Sequence, residues 1–230
     1  MVMRVFLDIE TLPPERDSSK ETPAPADEQE YRNLALSGDW GRVLTVGLIV
    51  EHDGREIHRG LLGRERQTMM FHLDEGRTLR AFWKLLRNFN PRRDLIVGHN
   101  IFDFDLPFLY KRSVVHRVRP TMELSFARYR SQPIFDTMYE WDKWRWGRGH
   151  TSLDSLAHIL GFPSSKLEMD GSRVYDKFCA GHHDEIACYC MRDVKLVRQI
   201  YYRLTFAEEN ILEEGHACDL KERRNKNYGC

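Results

Sequence analysis

The sequence predicts a mixed α/β fold, with a β-sheet and its helices in one domain over residues 1–230. Strand-like segments come first along the chain and helical patterns are interspersed among later strands, an order typical of α/β domains. The chain length of 230 residues fits one large domain, and the hydrophobic fraction of 41% is enough for a sizeable core.

The first half of the chain is rich in predicted strands. An apolar run predicts the first strand at residues 2–9. Residues 13–39 are polar and rich in Pro, Glu and Asp, which predicts a long insertion with a short helix around residues 27–36. Segments 42–51 and 55–62 flank a His-Asp-Gly turn and predict a β-hairpin.

The second half of the chain alternates helices with short strands. Apolar residues on one face predict a helix at residues 78–88. Short apolar runs predict strands at residues 94–97 and 132–135. Helical patterns follow at residues 152–160 and 185–204, and the last of these is the longest in the chain.

Charge, hydropathy and cysteine content limit the classes of partner and compartment. Lys plus Arg and Asp plus Glu each number 35, which excludes a globally basic nucleic-acid coat but leaves room for a local basic groove. The apolar run 43–50 is too short to span a bilayer and no signal peptide is apparent, so we expect a cytoplasmic protein with no membrane contact. The five cysteines fit no zinc-site spacing and are expected to be reduced thiols.

Two carboxylates, Asp8 and Glu10, end the first strand one residue apart. Because side chains alternate along a strand, both acids lie on one face and Ile9 lies on the other. Neighbouring carboxylates repel each other unless a cation lies between them, and carboxylate oxygens suit Mg²⁺ or Mn²⁺. The alternative interpretation is a strand end with two solvated acids.

Two later segments carry acids beside other polar or aromatic residues. Asn100, Phe104 and Asp105 follow the fourth predicted strand. Tyr189 and Asp193 lie four residues apart in the last predicted helix and therefore share one face. An Asp within an apolar helix is unfavourable unless it faces solvent or a cation.

The three segments together resemble the ExoI, ExoII and ExoIII motifs of the DEDD 3′–5′ exonucleases, which have a ribonuclease-H-like fold. A Tyr four residues before the last acid, here Tyr189, resembles the DEDDy subgroup. Residues 100–109 are similar to the ExoII segment of family B DNA polymerases, and residues 166–172 to a segment of stand-alone bacterial exonucleases similar to those polymerases. The four matching acids are Asp8, Glu10, Asp105 and Asp193.

The resemblance implies a ribonuclease-H-like mixed five-stranded sheet flanked by helices. It also implies a metal-dependent 3′–5′ exonuclease that removes nucleotides from single-stranded DNA by two-metal-ion hydrolysis, with two Mg²⁺ or Mn²⁺ ions. Asp8 would bridge both ions, while Glu10 and Asp193 would hold the ion that carries the attacking water. Asp105 would act on the second ion through water, and Tyr189 would orient the attacking water.

The resemblance further implies which residues bind the 3′ end of the strand. Thr11 and Leu12 would hold the terminal nucleotide, and Asn100 and Phe104 would line the next one. His99 is expected to be a structural histidine. Three rivals stay open: the same chemistry on RNA, a binding protein with an inactive nuclease fold, and a carboxylate–metal enzyme acting on another substrate.

Overall fold

The computed structural model describes residues 1–16, 25–124, 126–145, 150–164 and 169–208. Five strands form one mixed sheet, which confirms the predicted fold class. The strands are β1 (Met3–Leu12), β2 (Arg42–His52), β3 (Arg55–Leu62), β4 (Leu95–Gly98) and β5 (Ile134–Asp136). Their order is β3–β2–β1–β4–β5, so β1 lies at the centre, antiparallel to β2 and parallel to β4.

Helices cover both faces of this sheet, and short 3₁₀ turns extend some of them. The 3₁₀ turns lie at Leu34–Leu36, Leu86–Asn88 and Gly171–Arg173. The helices are α1 (Glu28–Asn33), α2 (Glu75–Leu85), α3 (Asp105–Val115), α4 (Thr137–Asp142), α5 (Leu153–Leu160), α6 (Val174–Cys179) and α7 (His183–Leu204).

The predicted strands and the helices α1, α2, α5 and α7 are confirmed, with shifts of a few residues at their ends. β1 continues to Leu12 rather than ending near Ile9. The prediction missed α3, in which Pro107 lies in the first turn, where proline is tolerated. It also missed α6, which is only six residues long.

The two faces of β1 pack against different helices. Leu7 belongs to a core cluster with Leu79 of α2 and Leu106 of α3. Phe6, on the opposite face, packs with Val194 and Val197 of α7. Asp8 and Glu10 follow Phe6 at two-residue spacing, so both acids lie on the side of the sheet that α7 covers.

A close approach of α7 to the sheet depends on Gly47 of β2. Gly47 is the register partner of Asp8 in the antiparallel pair of β1 and β2. A Cβ atom added at Gly47 would lie 2.7 Å from Sγ of Cys190 and 2.9 Å from Cγ2 of Val194. Because these distances are shorter than van der Waals contact, the missing side chain allows α7 to lie directly over the strand pair.

The cysteines depart from the expectation of reduced thiols. Cys179 and Cys190 are free, but Cys188 is disulfide-bonded. A disulfide depends on the distance between two side chains in the folded chain, which sequence spacing does not reveal. No helix among the described residues is long and apolar enough to cross a bilayer.

Candidate active site

A cavity of about 480 Å³ opens beside the end of β1. Residues 8–11 of β1 form one wall, and Tyr189 and Asp193 of α7 form another. Phe104 and residues from segments 29–36 and 171–176 complete the lining. Side chains from all three predicted motif segments therefore meet at one place.

Asp8 and Glu10 lie at the base of this cavity with their carboxylates close together. One oxygen of each carboxylate and Sγ of Cys190 lie within 4.8 Å of one another. The Glu10 side chain is only 6% exposed, and its Oε1 atom is buried with no hydrogen-bond partner among the described residues. An unpartnered buried carboxylate oxygen is unfavourable, so this position favours a cation.

The Cys190 thiol belongs to the packing of α7 rather than to the oxygen cluster. The side chain is fully buried, and Sγ donates a weak hydrogen bond of 3.8 Å to the carbonyl oxygen of Asp8. Burial raises the pKa of the Cys190 thiol, and the charges of Asp8 and Glu10 raise it further. The thiol therefore stays protonated, and the candidate donors for a hard cation are the carboxylates.

The charge of Asp193 acts directly on the two acids of β1. Burial raises the pKa of Asp8 and of Glu10 well above the usual range for carboxyl groups. The next largest cause for both groups is the nearby charge of Asp193, followed for Asp8 by Glu10. Asp193 also lines the same cavity as Asp8 and Glu10, so α7 brings its acid to the β1 pair.

Asp105 is the first residue of α3 and is 3% exposed. Its Oδ1 atom accepts a hydrogen bond of 3.1 Å from the backbone N–H of Ile9, between the two acids of β1. Burial raises the pKa of Asp105 to about 7, and the charges of Asp136 and Asp193 add to the shift. The fourth acid is thus electrostatically connected to the cluster without lining the cavity itself.

Tyr189 adds a hydroxyl group to the acid cluster. Burial raises the pKa of the Tyr189 phenol, and the charges of Asp193, Glu10 and Asp8 raise it further. Its hydrogen bond with the Asp193 carboxylate acts in the same direction. The phenol therefore remains protonated and can donate a hydrogen bond, but cannot serve as a base near neutral pH.

These observations coincide with a family match. The profile of a family described as a predicted 3′–5′ exonuclease related to the exonuclease domain of PolB matches residues 36–226 of the chain. The chain belongs to this exonuclease family. The predicted resemblance to the exonuclease domain of family B DNA polymerases is confirmed at the level of the family.

Comparison with individual proteins adds little to the family match. No curated protein matches the chain. Two solved structures of the Saccharomyces cerevisiae Pan2 pseudoubiquitin hydrolase–RNA exonuclease module, in complex with AAGGA RNA and with A7 RNA, are similar to it. Sequence identity is 15% and 14%, and the TM-scores are 0.41 and 0.34. Each alignment covers 99% of this chain but 33% of the yeast chain, so the chain spans about a third of that length.

Thr11 and Phe104 line the cavity. They are two of the four residues of this exonuclease-family protein that were predicted to bind substrate. The Thr11 hydroxyl donates a hydrogen bond of 2.7 Å to the carbonyl of Ala35, which ties β1 to the insertion. Leu12 is 1% exposed and packs in a core cluster instead of facing the cavity. Asn100 is half-buried and does not line the cavity either.

His99 makes structural contacts, as expected, and so does Asp136. Nδ1 and Nε2 of His99 lie 3.0 Å from Oγ1 of Thr137 and 2.9 Å from the carbonyl oxygen of Thr151. Asp136 caps α4 and also accepts hydrogen bonds from the backbone N–H groups of Asn100 and Phe102. Asp136 thus holds the loop that precedes Asp105.

Sequence reasoning missed the wall that the insertion contributes to the site. Gln29, Arg32 and Asn33 of α1 line the cavity, and Arg32 forms an ion pair of 2.7 Å with Asp176 of α6. The predicted short helix was visible in the sequence, but no local pattern shows against which part of the chain it packs. Residues 146–149 and 165–168, which include aromatic and basic residues, lie outside the described residues.

Proposed function

We propose that the protein is a DEDDy-type, metal-dependent 3′–5′ exonuclease that removes nucleotides from single-stranded DNA. One observation carries this proposal: the Oε1 atom of Glu10 is buried without a hydrogen bond, beside Asp8, in a cavity that Asp193 also lines. Such an arrangement of acids raises the free energy of the folded chain unless cations occupy it. Cation binding would thus compensate a repulsion that the fold itself creates.

The donor set fits Mg²⁺ or Mn²⁺. Hard divalent ions prefer carboxylate oxygens, and the cluster offers them from Asp8, Glu10 and Asp193. When bound, a pair of such ions would lower the pKa of a water molecule, neutralise the scissile phosphate and stabilise the departing 3′-oxygen. The buried Cys190 thiol, which stays protonated, makes a soft-metal site unfavourable.

The resemblance to the DEDD exonucleases gives each acid a role. Asp8, Glu10 and Asp193 would hold the metal ions, which would activate the attacking water. Asp105 has one oxygen engaged by the N–H of Ile9, is 3% exposed and does not line the cavity. That position supports a role through ordered water rather than by direct contact, since Mg²⁺ retains several waters.

Tyr189 would orient the attacking water. Burial raises the pKa of its phenol, and the charges of Asp193, Glu10 and Asp8 raise it further, so the hydroxyl stays protonated. It would therefore donate a hydrogen bond that orients the water, while the bound metal ions would activate that water. This role agrees with the position of the residue four before Asp193.

The cavity suits the unpaired 3′ end of a strand. Thr11 and Phe104 line it, and an aromatic ring next to the acids offers a surface on which a base can stack. Leu12 would act only through its backbone, because its side chain is buried in the core. Asn100 would reach the penultimate nucleotide from the loop that Asp136 holds.

DNA is the favoured substrate because the family is related to the exonuclease domain of PolB. A degradation time course on matched 5′-labelled single-stranded DNA and RNA tests this choice. Reactions run with Mg²⁺, Mn²⁺ or EDTA. Asp8→Asn is the active-site variant, and Asp142→Asn is a matched control because Asp142 lies outside the cavity.

The expected result is a one-nucleotide ladder from the 3′ end. The ladder should disappear with EDTA and with Asp8→Asn, and persist with Asp142→Asn. Faster cleavage of RNA than of DNA would keep the exonuclease chemistry and overturn the choice of DNA. Absence of a ladder on both polymers, in a folded protein that still binds Mn²⁺, would overturn the nuclease proposal.

A further inference from the structure

A second cavity, of about 580 Å³, lies against a different face of α7. Arg192 and Lys195 line this second cavity, whereas Tyr189 and Asp193 of the same helix line the carboxylate cavity. Its other walls are β3 with the segment that follows this strand, and the first turns of α2. The helix therefore lies between two cavities: carboxylates of the acid cluster line the first, and basic residues line the second.

The lining of the second cavity is strongly cationic. Among the described residues it contains six Arg or Lys side chains and two histidines, against a single acid, Glu65. Glu56 and Asp184, just outside the lining, pair with two of these cations, and the remaining excess of positive charge attracts anions. The six cationic residues are Arg59, Arg64, Arg66, Arg77, Arg192 and Lys195.

Neighbouring acids hold part of this cationic set in place. Arg64 pairs with Asp184, and Arg77 lies 3.3 Å from Glu65. Arg66 is exposed at the cavity and forms no ion pair with any described acid. The acids thus orient some guanidinium groups, while the charge of Arg66 remains uncompensated.

Two buried polar atoms of the second cavity have no hydrogen-bond partner among the described residues. They are Oγ1 of Thr78, in a side chain that is 1% exposed, and Nδ1 of His72. Gly63, at φ +94°, lies next to the Thr78 hydroxyl, and a Cβ atom there would approach Oγ1 to 3.1 Å. Buried polar groups without partners are rare, so these atoms favour a polar ligand.

The remaining lining is apolar. A ligand that fits the cavity must therefore offer an apolar surface as well as a negative charge. Leu61, Leu62, Met69 and Met191 line the cavity together with the cations. A cavity of this size, with convergent polar groups on an apolar surface, is typical of small-ligand sites. An anionic group joined to a flat, partly apolar ring system meets both requirements.

We propose that this second cavity binds a nucleotide, with its phosphate at Arg66 and the neighbouring cations and a polar atom of its sugar or base at the Thr78 hydroxyl. The choice of a nucleotide among phosphorylated ligands rests on the proposed exonuclease function. Two sources share this chemistry: a free nucleoside monophosphate, which the proposed reaction releases, and a nucleotide within the bound strand.

Isothermal titration of the full chain in EDTA tests the proposal, because EDTA stops turnover and removes metal from the carboxylate cavity. One arm uses dAMP and the other uses a short oligodeoxythymidylate. The variants are Arg66→Glu, Thr78→Val and Asp8→Asn. Arg92→Glu is the charge-matched control, since Arg92 is exposed and lines neither cavity.

We expect one dAMP to bind, and Arg66→Glu to weaken its affinity by about tenfold or more, as loss of a charged hydrogen bond does. Thr78→Val should also weaken binding without lowering the thermal midpoint, because the hydroxyl makes no hydrogen bond in the free protein. Asp8→Asn and Arg92→Glu should bind like the wild type. Binding of the oligonucleotide alone, with the same variant pattern, would assign the site to the strand.

The proposal is overturned if neither probe binds, or if the Arg66 and Thr78 variants bind like the wild type. Loss of dAMP binding in Asp8→Asn would also overturn it, because the ligand would then occupy the carboxylate cavity. The degradation ladder of the wild-type protein is measured separately. A failure of this second site therefore does not remove the proposed exonuclease activity, and the two proposals are judged independently.

Discussion

The backbone N–H of Ile9 donates a hydrogen bond of 3.1 Å to Oδ1 of Asp105, 96 residues further along the chain. Ile9 lies between Asp8 and Glu10, so this bond fixes the strand segment that carries both acids. It also fixes the first turn of α3 against the central strand. A single hydrogen bond thus joins two of the three motif segments, and α7 adds the third through Asp193.

Asp8→Asn and Asp193→Asn are each expected to abolish cleavage while the fold stays intact. Each substitution removes a negative charge from a cluster whose members raise one another's pKa, so loss of the charge does not destabilise the metal-free protein. Cleavage should fall by about 10²-fold or more, because even outer-shell metal partners are worth 10–100-fold. Single-turnover rates and circular dichroism spectra measure both effects, and full activity in either variant would remove the site assignment.

Tyr189→Phe should slow cleavage less, by about tenfold. The substitution removes one hydrogen bond, worth roughly 0.5–1.5 kcal/mol, and leaves every acid in place. The pH profile should keep its shape, because the phenol does not titrate near neutral pH. A change in the pH dependence of the rate would show instead that Tyr189 acts as an acid or base.

Asp105→Asn should make the metal-free protein more stable than the wild type at neutral and higher pH. Burial raises the pKa of Asp105 from about 4 to about 7 in the folded chain, so its contribution to stability is present below pH 4 and lost as pH rises through 7. Asn cannot ionise and keeps an oxygen for the N–H of Ile9. The expected gain is on the order of 1–4 kcal/mol.

Urea unfolding in EDTA at pH 5 and pH 8 measures this gain. The wild-type free energy of unfolding should fall relative to that of Asp105→Asn between the two pH values. Asp103→Asn serves as a control, because Asp103 is exposed and outside the acid cluster. Parallel pH dependence in the wild type and Asp105→Asn would contradict the raised pKa.

Gly47→Ala should destabilise the protein and reduce cleavage together. The added methyl group would lie 2.7 Å from Sγ of Cys190, so α7 must move away from the strands or the sheet must distort. Overpacking of a core costs about 1–3 kcal/mol. The shift would carry Asp193 away from Asp8, which the apparent affinity for Mn²⁺ reports.

The control for this substitution is Gly60→Ala in β3, where the nearest atoms to an added Cβ are 3.8 Å away in the His58 ring. This variant should retain both the affinity for Mn²⁺ and the cleavage rate. Loss of metal affinity in Gly47→Ala that a Cys190→Ala change restores would identify the Cys190 contact as the cause. Unchanged affinity in Gly47→Ala would mean that the helix position does not control the site.

Local sequence patterns determined the parts of the site that belong to one element. Two-residue spacing placed Asp8 and Glu10 on one face of β1, and four-residue spacing placed Tyr189 and Asp193 on one face of α7. The strands, the hairpin and the longest helix follow from the same periodicities. The three motifs in order were also enough to identify the family.

Only the tertiary structure decided which segments meet and which side chains remain exposed. It buried Leu12 in the core, joined Asp105 to the backbone N–H of Ile9, and made the insertion a wall of the cavity through α1. Periodicity records which face of an element is apolar, but not which distant element covers that face. That choice depends on close packing between segments far apart in the chain, as at Gly47, where one absent side chain lets α7 bring Asp193 to Asp8.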